Sequence, residues 1–467
     1  MVLSRIWSGF IIVAIIVASI KYLVSDNYKA IYNDMVVGKS GDTVQIMSKP
    51  MSEISPDVKN NLLLSPDFTK DRIKYKTDSA KADVNVYRVQ QTDGVIGTSE
   101  TAVKISLGLI GIMTLFMGFM SIAERAGGIN LLSRIIQPFF SKLFPEIPKN
   151  HPSFGHMVLN FSANLLGLDN AATPFGLKAM ESLQTLNPDK DRASNSQIMF
   201  LCLHAGGLTL IPVSIIAIRA SMGSATPTDI FLPCMIATFA ATMAAMIVVS
   251  LYQKINLLQP AVIGYVGGIS VIIGLLVVYL VSLSKEGLTN FSMLLSNGII
   301  LLIFFAIVAG AIYKKIDVFD AFVEGAKEGF WTCVKIIPYL VGMLIAISLL
   351  RTSGVFDVLI DGMKWVAQVV GFDTRFVDGL PTALIKPLSG SGARGMMVDT
   401  MQTFGADSFQ GRLAAILQGS SDTTFYVIAI YFGAVGIKNT RYTVTAMLLA
   451  DLVGVITSVI LAYLFFA

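Results

Sequence analysis

Long apolar segments separated by short polar ones run along most of this chain. Several of them reach the roughly 20 residues that an α-helix needs to cross a bilayer. They predict nine spans, at 6–24, 104–123, 196–220, 228–252, 259–283, 292–313, 333–350, 411–433 and 441–466. Segments 129–144 and 355–370 are amphipathic and 316–330 is rich in charge, so we expect three helices at the membrane surface. The pattern predicts an all-α polytopic membrane protein.

Composition supports this class and excludes others. The chain is 54% hydrophobic and only 14% charged, whereas soluble domains are typically about 25% charged. Its three cysteines lie in apolar segments at spacings that fit neither a metal site nor a disulfide framework. The net charge of +4 reflects basic loops rather than nucleic acid. Enzyme signatures are missing from the sequence, so we expect no catalysis, cofactor or metal.

Residues 25–102 form the one long polar stretch. Residues 74–76 and 84–87 alternate polar and apolar side chains, as strands do. The stretch has few large apolar residues from which to build a core. A small β-rich insert and a loosely ordered loop therefore both remain open.

Two elbows rich in Gly, Pro, Asn and Ser interrupt the apolar pattern, at 167–174 and 387–395. Each is followed by a helix with polar residues, the first containing His204 and the second Gln418 and Asp422. Irregular backbone cannot face lipid and must line a protein-enclosed cavity. We therefore expect two re-entrant hairpins of broken helices. The alternative is that both elbows are plain loops between ordinary helices.

The two halves share one order: span, surface helix, broken hairpin, span, span. The predicted spans place the two units in opposite orientations, which is an inverted-topology repeat. Basic residues concentrate in the loops on one side, which the positive-inside rule makes cytoplasmic. The N-terminus is then cytoplasmic, and the 25–102 insert and the C-terminus are extracytoplasmic.

The elbows carry the first group of candidate ligands. Ser389 and Ser391 precede a predicted helix start near Ala393, where free N–H groups attract anions or polar groups, although simple capping explains them too. Asn170 offers an amide donor and acceptor, and Thr173 is a ligand or a helix N-cap. Asp169 in the same elbow is a candidate for ion coupling.

The following helices carry the second group. Gln418, Asp422 and Tyr426 recur every four residues and would share one helix face. A carboxylate within a span usually faces a cavity or a partner. Asp422 is therefore a candidate for substrate binding and coupling, or for a structural ion pair with Lys386 or Arg394. His204 is a candidate ligand because it titrates near neutral pH, or a hydrogen-bonded structural residue.

Several long motifs resemble known families. The first half is similar to spore maturation protein A in residues 144–149, 164–180 and 207–212. The second half is similar to spore maturation protein B in residues 322–329, 387–393 and 419–426. The resemblance implies a fusion of the two and a nucleoside recognition, or Gate, domain in each. It departs from the families at 204–206, at Asp422 and in the 25–102 insert.

The sequence predicts a first span (1–24), the polar insert (25–102), an A-like Gate repeat (103–255), connecting spans (256–315) and a B-like Gate repeat (316–467). The expected function is alternating-access transport of a small polar solute, such as a nucleoside or an amino acid, across the bacterial inner membrane. H+ and Na+ are candidate coupling ions, and a homo-oligomer is compatible with this prediction. The alternative is an envelope scaffold of the spore-maturation type that moves no solute.

Overall fold

Apolar helices make up most of the protein, and the computed structural model describes residues 2–50, 59, 62, 67–70, 73–78, 83–148, 151–165, 169–283 and 285–467. Within these residues the helices are α1 (Val2–Val24), α2 (Ile31–Val36), α3 (Val95–Arg125), α4 (Gly128–Leu143), α5 (Pro152–Leu165), α6 (Asp169–Leu186), α7 (Asn195–Ala205), α8 (Val213–Ser221), α9 (Phe231–Gln253), α10 (Gly268–Ser282), α11 (Lys285–Tyr313), α12 (Val318–Thr352), α13 (Val355–Val370), α14 (Leu380–Ile385), α15 (Gly390–Phe404), α16 (Phe409–Gly419), α17 (Thr424–Ala434) and α18 (Thr443–Phe466). A helical turn at Pro260–Val262 and a π-helical turn at Ile263–Gly267 lead into α10.

The chain is a multi-pass membrane protein by length and composition of its helices. The described residues contain eight segments apolar enough to cross a bilayer: Trp7–Val24, Val95–Arg125, Phe231–Gln253, Ile263–Leu280, Asn290–Tyr313, Val318–Thr352, Phe409–Ala434 and Thr443–Phe466. They correspond to eight of the nine predicted spans. The ninth, 196–220, is split into α7 and α8 by residues 206–212, so the prediction of one continuous helix there was wrong.

Contacts divide the chain into two units. The smaller unit consists of residues 3–102 and 341–362, and the larger unit of residues 103–340 and 363–467. Both predicted hairpins and the helices that follow them belong to the larger unit.

The polar insert contains a four-stranded antiparallel sheet in the order β1-β4-β3-β2. Its strands are β1 (Gly38–Pro50), β2 (Asp67–Lys70), β3 (Ile73–Asp78) and β4 (Asp83–Asp93). The alternating residues 74–76 and 84–87 lie in β3 and β4. Gly38 pairs with Asp93 at the open end of the sheet. The described part of the insert is therefore the β-rich alternative, and its two ends lie side by side.

The predicted surface helices have different outcomes. The amphipathic segments 129–144 and 355–370 form the helices α4 and α13. The prediction of a separate helix at 316–330 was wrong, because these residues belong to α12, which runs 35 residues without interruption. No glycine or proline separates Phe330 from the apolar segment that follows, so nothing in the sequence ends the helix there.

Two glycines of α12 allow it to pack closely against α3. A Cβ atom on Gly325 would lie 2.3 Å from the carbonyl oxygen of Met117, and one on Gly329 would lie 2.7 Å from that of Met113. Glycines four residues apart let two membrane helices approach backbone to backbone, which replaces the hydrophobic driving force that lipid does not supply. Arg125 and Glu324 form an ion pair at one end of this contact.

The core of the larger unit combines residues from both halves of the sequence. Phe140 packs edge-on against Phe161, with ring centroids 5.2 Å apart, and Phe200 packs edge-on against Tyr431 at 6.3 Å. The four rings belong to one buried cluster. This cluster fixes α5, α7 and α17 relative to one another and so positions the site described below.

We predict that Gly325→Ala destabilises the protein, because the new Cβ would meet backbone rather than a movable side chain. Overpacking of this kind costs about 1–3 kcal/mol. The measurement is thermal unfolding in detergent, with Gly298→Ala as the control. Gly298 lies in α11 with nothing within 4 Å of an added Cβ, so that variant should unfold at or above the wild-type temperature. Equal melting temperatures for the two variants would contradict the close contact.

Candidate functional site

The helix predicted at 196–220 is interrupted in its middle. It begins with a capping box. The Ser194 side chain accepts a hydrogen bond from the Gln197 N–H, and the Gln197 side chain accepts one from the Ser194 N–H. It ends at Gly206 and Gly207, and Gly207 has a φ of +64° that favours glycine. Pro212 precedes the second half, α8. Because the loop lies between two helices in the larger unit, its free backbone groups need partners.

The helix predicted at 411–433 is interrupted at the corresponding place. Ser408 caps α16 by accepting from the N–H of Gly411. The helix ends at Gly419, and α17 begins at Thr424. The prediction that Gln418, Asp422 and Tyr426 share one helix face was therefore wrong, because Asp422 lies in the loop between two helices. A run of Gly, Ser, Ser and Asp favours caps and turns over helix interior, and this signal was overlooked.

Each interrupted helix is hydrogen-bonded, at or next to its break, to the hairpin of its own half. The N–H of Leu210 donates to the carbonyl of Leu165 at the end of α5, at 2.8 Å. The N–H of Phe425 donates to the carbonyl of Pro387, just after α14, at 2.9 Å. The two halves thus use the same type of contact, as expected for a repeat.

The two interruptions also contact each other. The N–H of Asp422 donates to the carbonyl of Ala205, the last residue of α7, at 2.8 Å. The Asp422 carboxylate accepts from the N–H of Thr423 at 2.6 Å, and its Oδ2 lies 3.6 Å from Nε2 of His204. The Asp422 side chain is 46% exposed, whereas that of His204 is 6% exposed. A half-exposed carboxylate and a buried imidazole therefore face each other where the helices break.

Two amides compete for the other nitrogen of His204. Its Nδ1 lies 2.8 Å from Nδ2 of Asn164 and 3.1 Å from Oδ1 of Asn160. A neutral imidazole with a bare Nδ1 accepts from Asn164, and a protonated Nδ1 donates to Asn160. In either case Nε2 faces Asp422. The arrangement can hold or release one proton with a change of amide partner.

The first hairpin is connected to His204 through Asn160. Its Nδ2 donates to the carbonyl of Ala172 in α6 at 2.6 Å. Thr173 is exposed and lies beside the Tyr431 hydroxyl, and the Tyr431 ring is edge-on to His204 at 4.9 Å. The prediction that Thr173 caps the helix was wrong, because α6 already begins at Asp169.

Part of the first elbow lies outside the described residues. This applies to residues 166–168 and to the side chains of Asp169 and Asn170. Their predicted roles in substrate binding and coupling therefore stay predictions.

The second hairpin presents a capped helix start to the site. Ser389 is the N-cap of α15 and accepts from the N–H of Gly392 at 2.9 Å, so the helix begins at Gly390 rather than near Ala393. The hydroxyl oxygens of Ser389 and Ser391 lie 3.3 Å apart. A Cβ on Gly390 would lie 2.7 Å from the Thr423 hydroxyl, so this helix start adjoins the loop that contains Asp422.

Gln418 and its neighbours form a buried polar group behind Asp422. The Lys386 ammonium donates to the Gln418 carbonyl at 2.6 Å. The Thr424 hydroxyl donates to Asp451 of α18 at 2.6 Å. Oε1 of Gln418 is buried without a hydrogen-bond partner among the described residues. Asp422 faces His204, with Oδ2 and Nε2 3.6 Å apart, rather than Lys386 or Arg394, the two partners considered from the sequence.

Asn160, Asn164 and Tyr431 were not singled out from the sequence, although they contact His204. Asn160 and Asn164 are four residues apart in an apolar helix, which places both amides on one face. This spacing was the available signal. Tyr431 carries none, because a tyrosine in an apolar helix is ordinary core.

Charged contacts join the two halves at two further places. Arg219, fully buried, and Arg412 both pair with Asp229, at 2.9 and 2.7 Å. Burial alone raises the pKa of Asp407 next to them. The Ser224 hydroxyl, the Ala225 N–H and the two guanidinium groups outweigh that effect and lower the pKa.

The second contact lies between the starts of α7 and α18. Arg441 donates to the Asn195 side chain at 2.9 Å and to the Ala193 carbonyl at 3.1 Å. The start of each interrupted helix is thus held by residues of the other half.

The sequence matches known proteins in the same regions. A Gate family model, described as nucleoside recognition, matches residues 106–222 and 333–438. Each segment contains one broken hairpin and one interrupted helix. No solved structure matches the chain.

Two curated proteins of Bacillus subtilis (strain 168) are similar to this chain. Spore maturation protein B is 48% identical over 153 residues, which are 33% of this chain and 84% of that protein. Spore maturation protein A is 43% identical over 156 residues, which are 33% of this chain and 80% of that protein. The chain therefore belongs to the family of spore maturation proteins A and B, and it matches one of each, as expected for a fusion of the two.

Proposed function

We propose that this protein moves a small polar solute across the bacterial inner membrane by alternating access. The observation that carries the proposal is the contact of the two interrupted helices at Ala205 and Asp422, beside both hairpins. Transporters built from repeats place their solute where discontinuous helices meet, because free backbone groups can be left there without facing lipid. The eight apolar segments supply the membrane body that such a site needs.

The exchange of contacts between halves supports an inverted repeat. Each interrupted helix is bonded to the hairpin of its own half, and each is held at its start by an arginine contact with the other half. The hairpin and the interrupted helix of one half can then move together against those of the other half. With the N-terminus cytoplasmic and the C-terminus extracytoplasmic, the two halves would open to opposite sides of the membrane.

His204 and Asp422 are the proposed coupling pair. A proton on His204 gives an imidazolium facing a carboxylate, and loss of that proton leaves the carboxylate charge uncompensated. The proton also decides whether Nδ1 bonds to Asn160 or to Asn164, and Asn160 is bonded to α6. Protonation is thereby linked to the first hairpin. Substrate contacts are assigned to Thr173, Ser389, Ser391, Gln418 and Asp422.

The family description favours a nucleoside among the candidate solutes, and an amino acid or similar metabolite remains within the proposed class. The names of the relatives favour a different function, a spore-maturation-type membrane scaffold. The two functions depend on different parts of the protein. A transporter needs the polar pair in its centre, whereas a scaffold needs an exposed surface such as the insert.

We predict that Asp422→Asn lowers solute flux in proteoliposomes by about tenfold or more, because it removes a charged partner worth about 1.5–3 kcal/mol. His204→Gln should keep part of the flux and lose its dependence on pH between about 5 and 8. Asp361→Asn and His151→Gln are matched controls outside the site and should behave as wild type. Wild-type flux in Asp422→Asn at equal protein content would remove the pair from the mechanism.

Contact between the interruptions is tested by a pair of glycine substitutions. Gly207 and Gly223 both have positive φ, +64° and +75°, so alanine strains the backbone at both. Only at Gly207 would the new Cβ meet the other interruption, 3.3 Å from the backbone nitrogen of Asp422, whereas Gly223 has nothing within 4 Å. We expect Gly207→Ala to lower the melting temperature and flux more than Gly223→Ala does. Equal effects would argue against the contact.

Removal of the sheet discriminates the scaffold from the transporter. Gly38 and Asp93 are paired, so residues 39–92 can be replaced by a short Gly-Ser linker without stretching the chain. We predict that the shortened protein keeps most of its flux. A loss of biological role with flux intact would favour the scaffold, and so would a full role in cells expressing Asp422→Asn.

A further inference from the structure

A second polar feature contains neither His204 nor Asp422. It is a partly open cavity of about 310 Å³ in the larger unit, lined by α3, α8, α12 and α15. Its polar lining includes Lys335 and Tyr339 of α12, Ser214 of α8, and Ser391 and Arg394 of α15. The described lining residues contain two cationic side chains and no carboxylate.

Both cations lack partners among the residues that the structure describes. Neither Lys335 nor Arg394 forms an ion pair or hydrogen bond there. Arg394 is half-buried, and its Nε is fully covered without a hydrogen-bond partner. A covered guanidinium nitrogen with nothing to bond to is costly. The two positive charges also repel each other, and no carboxylate among the described lining residues offsets them.

Lys335 is the one charged residue between Glu328 and Arg351 of α12. This helix is long and apolar enough to cross a bilayer. An ionisable residue within such an apolar segment usually faces a cavity or a pathway.

The helix ends add to the positive potential. Ser391 and Arg394 lie in the first turns of the 15-residue helix α15, and Ser214 lies in the first turn of α8. Helix N-termini point N–H groups and the positive end of the dipole at their surroundings. Arg394 adds a planar guanidinium that suits carboxylate and phosphate oxygens.

We propose that this cavity binds the carboxylate or phosphate group of a small anionic solute. The inference rests on the proposed function in that it assigns the solute's charge, and within the proposed class it selects an amino acid or similar acidic metabolite over an uncharged nucleoside. Gly390, at the start of α15, touches Thr423 next to Asp422, so the cavity and the coupling pair share one hairpin. A solute held by Lys335 and Arg394 brings a negative charge toward Asp422. A proton on the His204–Asp422 pair would offset that charge, which gives anion and proton a reason to move together.

The test is thermal unfolding of the purified protein in neutral detergent, with inorganic phosphate or acetate as the probe and chloride at matched ionic strength as the baseline. We expect a saturable rise in melting temperature in wild type. Arg394→Gln and Lys335→Gln should each weaken the apparent Kd by about tenfold or more. Lys327→Gln removes the same charge from a position on α12 that does not line the cavity and should leave the Kd unchanged. An absent response in wild type, or an equal response in the cavity variants, would overturn the proposal.

A lipid headgroup also carries a phosphate group, and a second experiment distinguishes binding of lipid from binding of a solute. The protein is placed in nanodiscs of phosphatidylcholine with or without phosphatidylglycerol. Stabilisation by phosphatidylglycerol that requires Arg394, without any response to phosphate or acetate, would overturn the assignment to a solute.

Failure of this proposal differs from failure of the proposed function. Anion binding without flux in proteoliposomes would leave the cavity assignment standing and remove transport. Flux of a neutral solute that Arg394→Gln leaves unchanged would do the reverse.

Discussion

The hydrogen bond from the Asp422 N–H to the Ala205 carbonyl is the contact on which the centre of this protein depends. A helix that ends inside an apolar environment leaves carbonyls that water cannot satisfy. Here the carbonyl end of α7 accepts from the loop that leads into α17. The same bond brings His204, the penultimate residue of α7, to the carboxylate of Asp422. The hydrogen bond that satisfies the carbonyl at the end of α7 therefore also brings the two members of the polar pair together.

The backbone carbonyls at the hairpin breaks also accept hydrogen bonds from the interrupted helices. The carbonyls of Leu165 and Pro387, where the hairpins break, accept from Leu210 and Phe425. Each hairpin is thus bonded to the interrupted helix of its own half, and the two interrupted helices are bonded to each other at their breaks. A displacement of one hairpin must strain or exchange these bonds. This is how movement at a hairpin would reach the His204–Asp422 pair.

Sequence patterns predicted much of this arrangement. Apolar length predicted the spans, and Gly, Pro and Ser clusters predicted where the hairpins break. They failed at 206–212 because Leu208, Leu210 and Ile211 keep that segment apolar. They failed at 420–423 because four polar residues are too few to divide the apolar segment around them. Gly207, Pro212 and the Gly-Ser-Ser-Asp run carried the missing signal in local chemistry. The pairing of His204 with Asp422 was beyond any local pattern, since it joins residues more than 200 positions apart.

The same limit applies to the charges. From the sequence, Lys386 and Arg394 were equivalent candidates to neutralise Asp422. In the structure Lys386 donates to the Gln418 carbonyl, and Arg394 lines the cavity with Lys335. Asp422 is left with a histidine, whose charge depends on pH, while Lys335 and Arg394 line the cavity. A carboxylate opposite Arg394 would have made a static ion pair. Because the charges are separated, the His204–Asp422 pair can take up or release a proton and the cavity can attract an anion. Coupled movement of a proton and an anion would need both of these sites.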